Sequence, residues 1–125
     1  MNSLFSYSGI VVKGLQNGRA FGFPTANVEL SAGSEKPELG VFAVIVEWQG
    51  KEYRGMLYVG NRPTIHLSEF SIEIHIFDFN QMIYEETVTF KIVKKIREEK
   101  CFPSVEELIM QIKKDKDEVV HFFND

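Results

Sequence analysis

Residues 70–79 alternate between two faces: Ile72, Ile74 and Ile76 fall on one side, Glu73, His75 and Phe77 on the other. A period of two marks a β-strand with distinct faces, because successive side chains leave opposite sides of the pleat. Most of the chain reads the same way. Residues 86–96 set Val88, Phe90 and Ile92 against Thr87, Thr89 and Lys91. Residues 41–48, Val-Phe-Ala-Val-Ile-Val-Glu-Trp, are apolar on both faces, as in a strand covered on both sides. Gln49-Gly50-Lys51 is a short turn, so this run and residues 52–59 are expected as a hairpin. Residues 7–13 supply a first strand. The polar, turn-rich stretch 29–39 is expected as an exposed, mobile loop.

The C-terminal end follows a different period. Ser104 with Glu107 three positions later forms a capping box. Val105, Leu108, Ile109, Ile112, Val119 and Phe123 then recur at helical spacing. Strands closed by one amphipathic helix predict a small antiparallel barrel with the helix packed outside. The 125 residues contain no linker, repeat or low-complexity tract. They read as one domain, residues 1–125, long enough to bury its own core.

Composition removes several classes of function. The net charge is −4, and the longest basic runs are the pairs Lys94-Lys95 and Lys113-Lys114, which argues against nucleic acid as a main partner. Cys101 is the only cysteine, so no internal disulfide or multi-cysteine zinc site can form. No two histidines share metal-ligand spacing. No apolar run approaches the ~18 residues of a spanning helix, and the first residues lack a signal-peptide plan. A soluble, cytoplasmic protein without a membrane partner is expected. No Gly-x-x-x-x-Gly-Lys-Ser/Thr loop occurs, which excludes a P-loop NTPase.

Gly22-Phe23-Pro24-Thr25-Ala26-Asn27 offers more. A glycine-punctuated segment with Gly14, Gly18 and Arg19 leads into it, and glycines let a backbone approach a ligand closely. Thr25 and Asn27 present neutral oxygens two positions apart. Such oxygens suit Mg²⁺ when a nucleotide phosphate supplies the balancing charge. Taken alone, the spacing equally describes a surface turn. Glu73, opposite the isoleucine face, either meets solvent or lines a cleft.

Five motifs in order resemble those of the riboflavin kinase (flavokinase) family. They are Gly22–Asn27 behind Gly18-Arg19, Gly40-Val41-Phe42-Ala43-Val44, Val59-Gly60-Asn61-Arg62-Pro63-Thr64, Ile72–Phe79 with its Glu-x-His core, and Arg97–Phe102 followed by Ser104–Leu108. The resemblance runs from about Gly9 to Asp115 and implies a six-stranded Greek-key barrel. It implies ATP-dependent phosphorylation of riboflavin, with Mg²⁺ accompanying the nucleotide and FMN as product, not prosthetic group. Glu73 is then the catalytic base. Thr25 and Asn27 hold metal and phosphate, and Gly14, Gly18, Arg19, Gly22 and Pro24 shape the nucleotide loop. Arg97, Lys100 and Phe102 are flavin-side contacts; by the residues alone, Arg97 could instead pair with Glu98 or Glu99. His75 is read as structural. An FAD synthetase domain N-terminal to the kinase is the implied partner in a longer chain. A non-catalytic flavin or nucleotide sensor on the same barrel is the alternative. One departure is Tyr84-Glu85, where the family usually has Tyr-Gly; a positive φ there would strain Glu85.

Overall fold

The computed structural model describes residues 6–12, 25–31, 35–63, 68–79 and 81–124. Six strands, β1 (Ser6–Val12), β2 (Ala26–Leu30), β3 (Gly40–Trp48), β4 (Lys51–Pro63), β5 (Ser68–Ile76) and β6 (Thr87–Arg97), precede one helix, α1 (Val105–Asn124). The strands pair antiparallel and close into a barrel in the order β1-β2-β5-β4-β3-β6. β2 therefore neighbours β5 rather than β3, and β6 returns between β1 and β3, which is Greek-key connectivity.

The alternation decides which side of each strand faces inward. Ile72, Ile74 and Ile76 join Val44, Leu57 and Phe90 in the barrel interior. On the outside, Val41, Ala43 and Met56 are covered by Val119 of α1, with Ile112, Phe122 and Phe123 packed around them. β3 is thus buried on both faces, as its continuous apolar run requires. The helix starts on its cap: the Glu107 N–H donates to Ser104 Oγ at 3.2 Å. Val105 departs from the expected face and is 57% exposed. The first turn is held by the cap rather than by packing.

Trp48 pairs with Lys51 across a two-residue loop in which Gln49 (φ 52°) and Gly50 (φ 79°) are both left-handed. That is the type I′ geometry whose twist suits a hairpin. β5 stops at Ile76 rather than at 79, because Asp78 turns the chain at φ 55°. Glu85 does adopt φ 69°. Its N–H donates to the Val11 carbonyl at 2.7 Å, and the Val11 N–H donates to the Glu86 carbonyl at 2.9 Å, so β1 holds the strained turn in place.

Among its described residues, part of the 29–39 stretch is built into the fold rather than left as an exposed loop. Glu29 and Leu30 complete β2, Pro37 is buried, and Leu39 packs on the interior core. β2 leaves no readable period because Val28 is its only fully buried residue.

Candidate active site

A single cross-strand row organises the outer face. Asn27 lies directly opposite Glu73, Glu73 opposite Tyr58, Tyr58 opposite Val41, and Val41 opposite Arg97. Directly opposed residues share a face, and Val41 sits under α1, so the whole row points outward. Adjacent strands lie about 4.8 Å apart, which sets Glu73 and Arg97 about 14 Å from each other along the sheet. A β6 irregularity opposite Val41 and Phe42 immediately precedes Arg97. Bulges of this kind re-aim side chains near sites.

Glu73 is only 5% exposed although it belongs to the outer face. Thr25 Oγ1 donates to Glu73 Oε1 at 3.2 Å. The structure therefore brings Thr25, Asn27 and Glu73 together. Two positions along β5, opposite Gly60, the Ser71 Oγ is buried without a hydrogen-bond partner among the described residues. On the other side of Glu73, Tyr58 Oη donates to Glu99 Oε2 at 3.3 Å. This pair rests on Gly60, where a Cβ would come within 2.5 Å of Tyr58 Oη and 2.8 Å of Glu99 Oε2. A side chain at this position would displace the pair from where it lies.

The far end of the row is tied to the helix. Arg97 Nε donates to Asp115 Oδ1 at 2.9 Å and Oδ2 at 3.0 Å, and its Nη2 donates to Oδ2 at 2.8 Å. Gln111 Nε2 donates to Asp115 Oδ1 at 2.9 Å. Arg97 Nη1 donates to the Glu98 carbonyl at 3.0 Å. The ion-pair partner of Arg97 is thus Asp115, not the side chain of Glu98 or Glu99. The Arg97 guanidinium lies 5.6 Å from the Phe102 ring centroid, and the Lys100 ammonium lies 5.6 Å from the same ring. Phe102 is half-buried with two cations near its ring, which puts an aromatic surface beside positive charge. Lys95 bridges Glu38 and Glu98, and those hydrogen bonds push its pKa up.

His75 is buried edge-on against Phe77, with ring centroids 5.3 Å apart. It lines a groove of about 900 Å³ with Arg54, Lys116 and Phe123. That groove lies at the start of β4 and the end of β5, and contains neither Thr25, Asn27 nor Glu73. Gly14, Gly18, Arg19, Gly22 and Pro24 lie outside the described residues.

The donor set can be tested against a metal. Among the described residues no group of three or more His, Cys, Asp or Glu side chains could hold one. Thr25 and Asn27 add two neutral oxygens to the single carboxylate of Glu73. This set fits a Mg²⁺ that arrives with phosphates and water, not one caged by protein alone.

Tyr58 and Asp115 carry no role in the sequence reading, and Glu99 enters it only as a possible partner of Arg97. Asp115 had a signal: it interrupts the stripe Leu108, Ile112, Val119 at helical spacing. A carboxylate on a core-facing stripe requires a partner.

The riboflavin kinase (flavokinase) family model matches residues 1–123. This chain belongs to the riboflavin kinase family. A bifunctional riboflavin kinase/FMN adenylyltransferase of Bacillus subtilis is 41% identical over 119 residues, covering 93% of this chain and 38% of that protein. The Haemophilus influenzae bifunctional enzyme is 42% identical over 117 residues, with the same coverage. The chain therefore spans about two fifths of the length of these relatives. An RNA-binding riboflavin kinase of Bacillus subtilis is 42% identical over 109 residues, covering 86% of this chain and 46% of that protein. RNA binding is said there of a protein more than half of which lies outside the match.

Among solved structures, a Streptococcus pneumoniae protein described as a macrolide-efflux protein superposes with TM-score 0.80 at 42% identity, covering 90% of this chain and 37% of that one. Among the described residues no helix here is long and apolar enough to cross a membrane. A Trypanosoma brucei riboflavin kinase shares the fold with TM-score 0.62 at 24% identity, covering 96% of this chain and 80% of that one.

Proposed function

We propose that this riboflavin kinase family domain transfers the γ-phosphoryl group of ATP to the 5′-hydroxyl of riboflavin, giving FMN and ADP. The observation that carries the reading is the Thr25–Glu73 hydrogen bond with Asn27 directly opposite Glu73. It unites the phosphate-side oxygens and the one candidate base on a single patch of the outer face.

Glu73 takes the proton of the acceptor hydroxyl as that oxygen attacks the γ-phosphorus. The bond from phosphorus to the bridging oxygen breaks, and ADP leaves with the electron pair. The Thr25 hydrogen bond orients the carboxylate, and its burial keeps bulk water from competing as acceptor. Thr25 and Asn27 hold the metal–nucleotide complex; bound Mg²⁺ supplies charge neutralisation at the phosphate oxygens. The flavin ring packs near Phe102, Lys100 and Arg97, and its ribityl hydroxyl is directed toward Glu73. Where the domain is joined to an FMN adenylyltransferase, as in the bifunctional relatives, its product is the substrate of that partner.

The test is incubation with riboflavin and Mg²⁺-ATP, followed by chromatographic separation of flavins. FMN is expected, with none when nucleotide is omitted and no FAD in either case. Riboflavin or nucleotide binding without FMN would support the sensor reading instead. Catalytic formation of FAD would show that the barrel's chemistry has been read too narrowly.

A further inference from the structure

Asp115 carries a charge where the fold does not need one. It is 1% exposed on the apolar stripe of α1, between Ile112 and Val119. Burying an ionised carboxylate costs several kcal/mol unless it is paired, and an apolar residue of similar size commonly serves stability as well or better. Packing alone would favour leucine here. What the carboxylate adds is direction. It takes the Nε–Nη2 edge of the Arg97 fork and is itself oriented by Gln111, one helical turn earlier. The guanidinium is left with its face toward Phe102 and its Nη1 on the Glu98 carbonyl. The next residue, Glu99, reaches Tyr58, the neighbour of Glu73 in the row. The segment then ends on Ser104, which caps the helix. Lys100–Pro103 is thus held between two fixed points, and the first depends on Asp115.

We propose that Asp115, oriented by Gln111, is a positioning residue for the flavin acceptor: through Arg97 it sets the place of the Lys100–Phe102 surface relative to Glu73. This rests on the kinase reading above. It assigns Asp115 no contact with substrate. It predicts that disturbing the network weakens riboflavin binding selectively, because Thr25 and Asn27, on the nucleotide side, lie at the other end of the row.

The experiment compares wild type with Asp115→Asn and Gln111→Ala. Both KM values are measured, and riboflavin binding is followed separately by quenching of flavin fluorescence in the absence of nucleotide. Asp115→Asn is expected to raise the riboflavin KM and dissociation constant about 10-fold or more, since misplacement by about 1 Å is enough for such losses. The ATP KM should stay within about twofold, because nothing on its side has moved. Gln111→Ala leaves the ion pair intact and should shift riboflavin binding in the same direction by less, so it decides the matter if Asp115→Asn does not fold. Unchanged riboflavin binding in the folded variants, or an equal loss for both substrates, would reduce Asp115 to a structural residue and overturn the proposal. A wild type that binds riboflavin but makes no FMN would sink the kinase reading alone. The fluorescence titrations would still decide the positioning role.

Discussion

Replacing Glu73 by glutamine should separate catalysis from stability. Glutamine has nearly the same shape and retains a carbonyl oxygen that can accept the Thr25 hydrogen bond, now 3.2 Å long. It lacks the basicity needed to take the acceptor proton. Loss of a positioned base costs about 10²–10⁴ in rate. At 1.36 kcal/mol per decade this is about 2.7–5.4 kcal/mol of transition-state stabilisation. The folded state should not suffer in parallel. Glu73 is 5% exposed, so wild type bears the desolvation of a carboxylate, and a neutral amide bears less. The unfolding free energy of Glu73→Gln is therefore expected to stay level or rise by up to about 1 kcal/mol, as when active-site strain is relieved. FMN formation under saturating substrates gives the first quantity, and urea unfolding followed by Trp48 fluorescence gives the second. Turnover within about threefold of wild type, against an expected floor of about 10², would refute Glu73 as the base. A loss of more than about 2 kcal/mol in stability would show instead that the charge supports the fold.

Glu85→Gly should stabilise the protein by about 0.5–1 kcal/mol, the relief of left-handed strain less the added freedom of the unfolded chain; a melting point that fails to rise would contradict the strain read from φ 69°. Asn27→Ala should weaken ATP binding in the presence of Mg²⁺, as measured by calorimetry, while metal-free binding is weak in both proteins. Metal-independent affinity that survives the substitution would move the phosphate site elsewhere. Stability should hold from neutral pH to about pH 9 and fall above about pH 10. Burial, then the nearby Glu35, raises the Tyr7 pKa, and hydrogen bonds to Glu38 and Glu98 raise that of Lys95. Both groups hold their protons more tightly when folded, so their contributions are complete below the unfolded pKa and are lost as pH rises through the folded one. Urea midpoints that are flat up to pH 11 would refute the assignment; Tyr7→Phe should remove part of the slope.

The legible parts of this fold are those where one period dominates. β5 and β6 announce themselves because each places its apolar residues on one side, and the helix because Ser104 and its stripe agree. β2 escapes because five residues with one buried side chain carry no period, although it bears Asn27. The site divides in the same way. Motif resemblance singles out Glu73, Thr25 and Asn27, which the structure places together, and Phe102 with Arg97 and Lys100, which it places side by side. That Arg97 answers to Asp115 could not be read from spacing. The two are 18 residues apart, and a strand end meets a helix there only after the barrel has closed. The meeting of Tyr58 and Glu99 could not be read for a related reason: they are 41 residues apart and come together over Gly60 only in three dimensions.

The apolar residues of β5 also decide where its chemistry can be. Ile72, Ile74 and Ile76 must enter the barrel, and this forces Glu73 outward. A slip of one residue in pairing would put the carboxylate into the interior and the isoleucines outside, so hydrophobic burial pins the register as strongly as any active-site contact. The β4–β5 ladder is continuous over Gly55–Pro63 and Ser68–Ile76, which fixes Tyr58 beside Glu73. By contrast, among the described residues the β2–β5 ladder comprises Ala26–Ile74 and Asn27–Glu73. Asn27 thus stands on a short described seam, and Glu73 belongs also to a long one. On the proposed assignment, the long β4–β5 ladder holds Glu73 to the fractions of an ångström that a base requires.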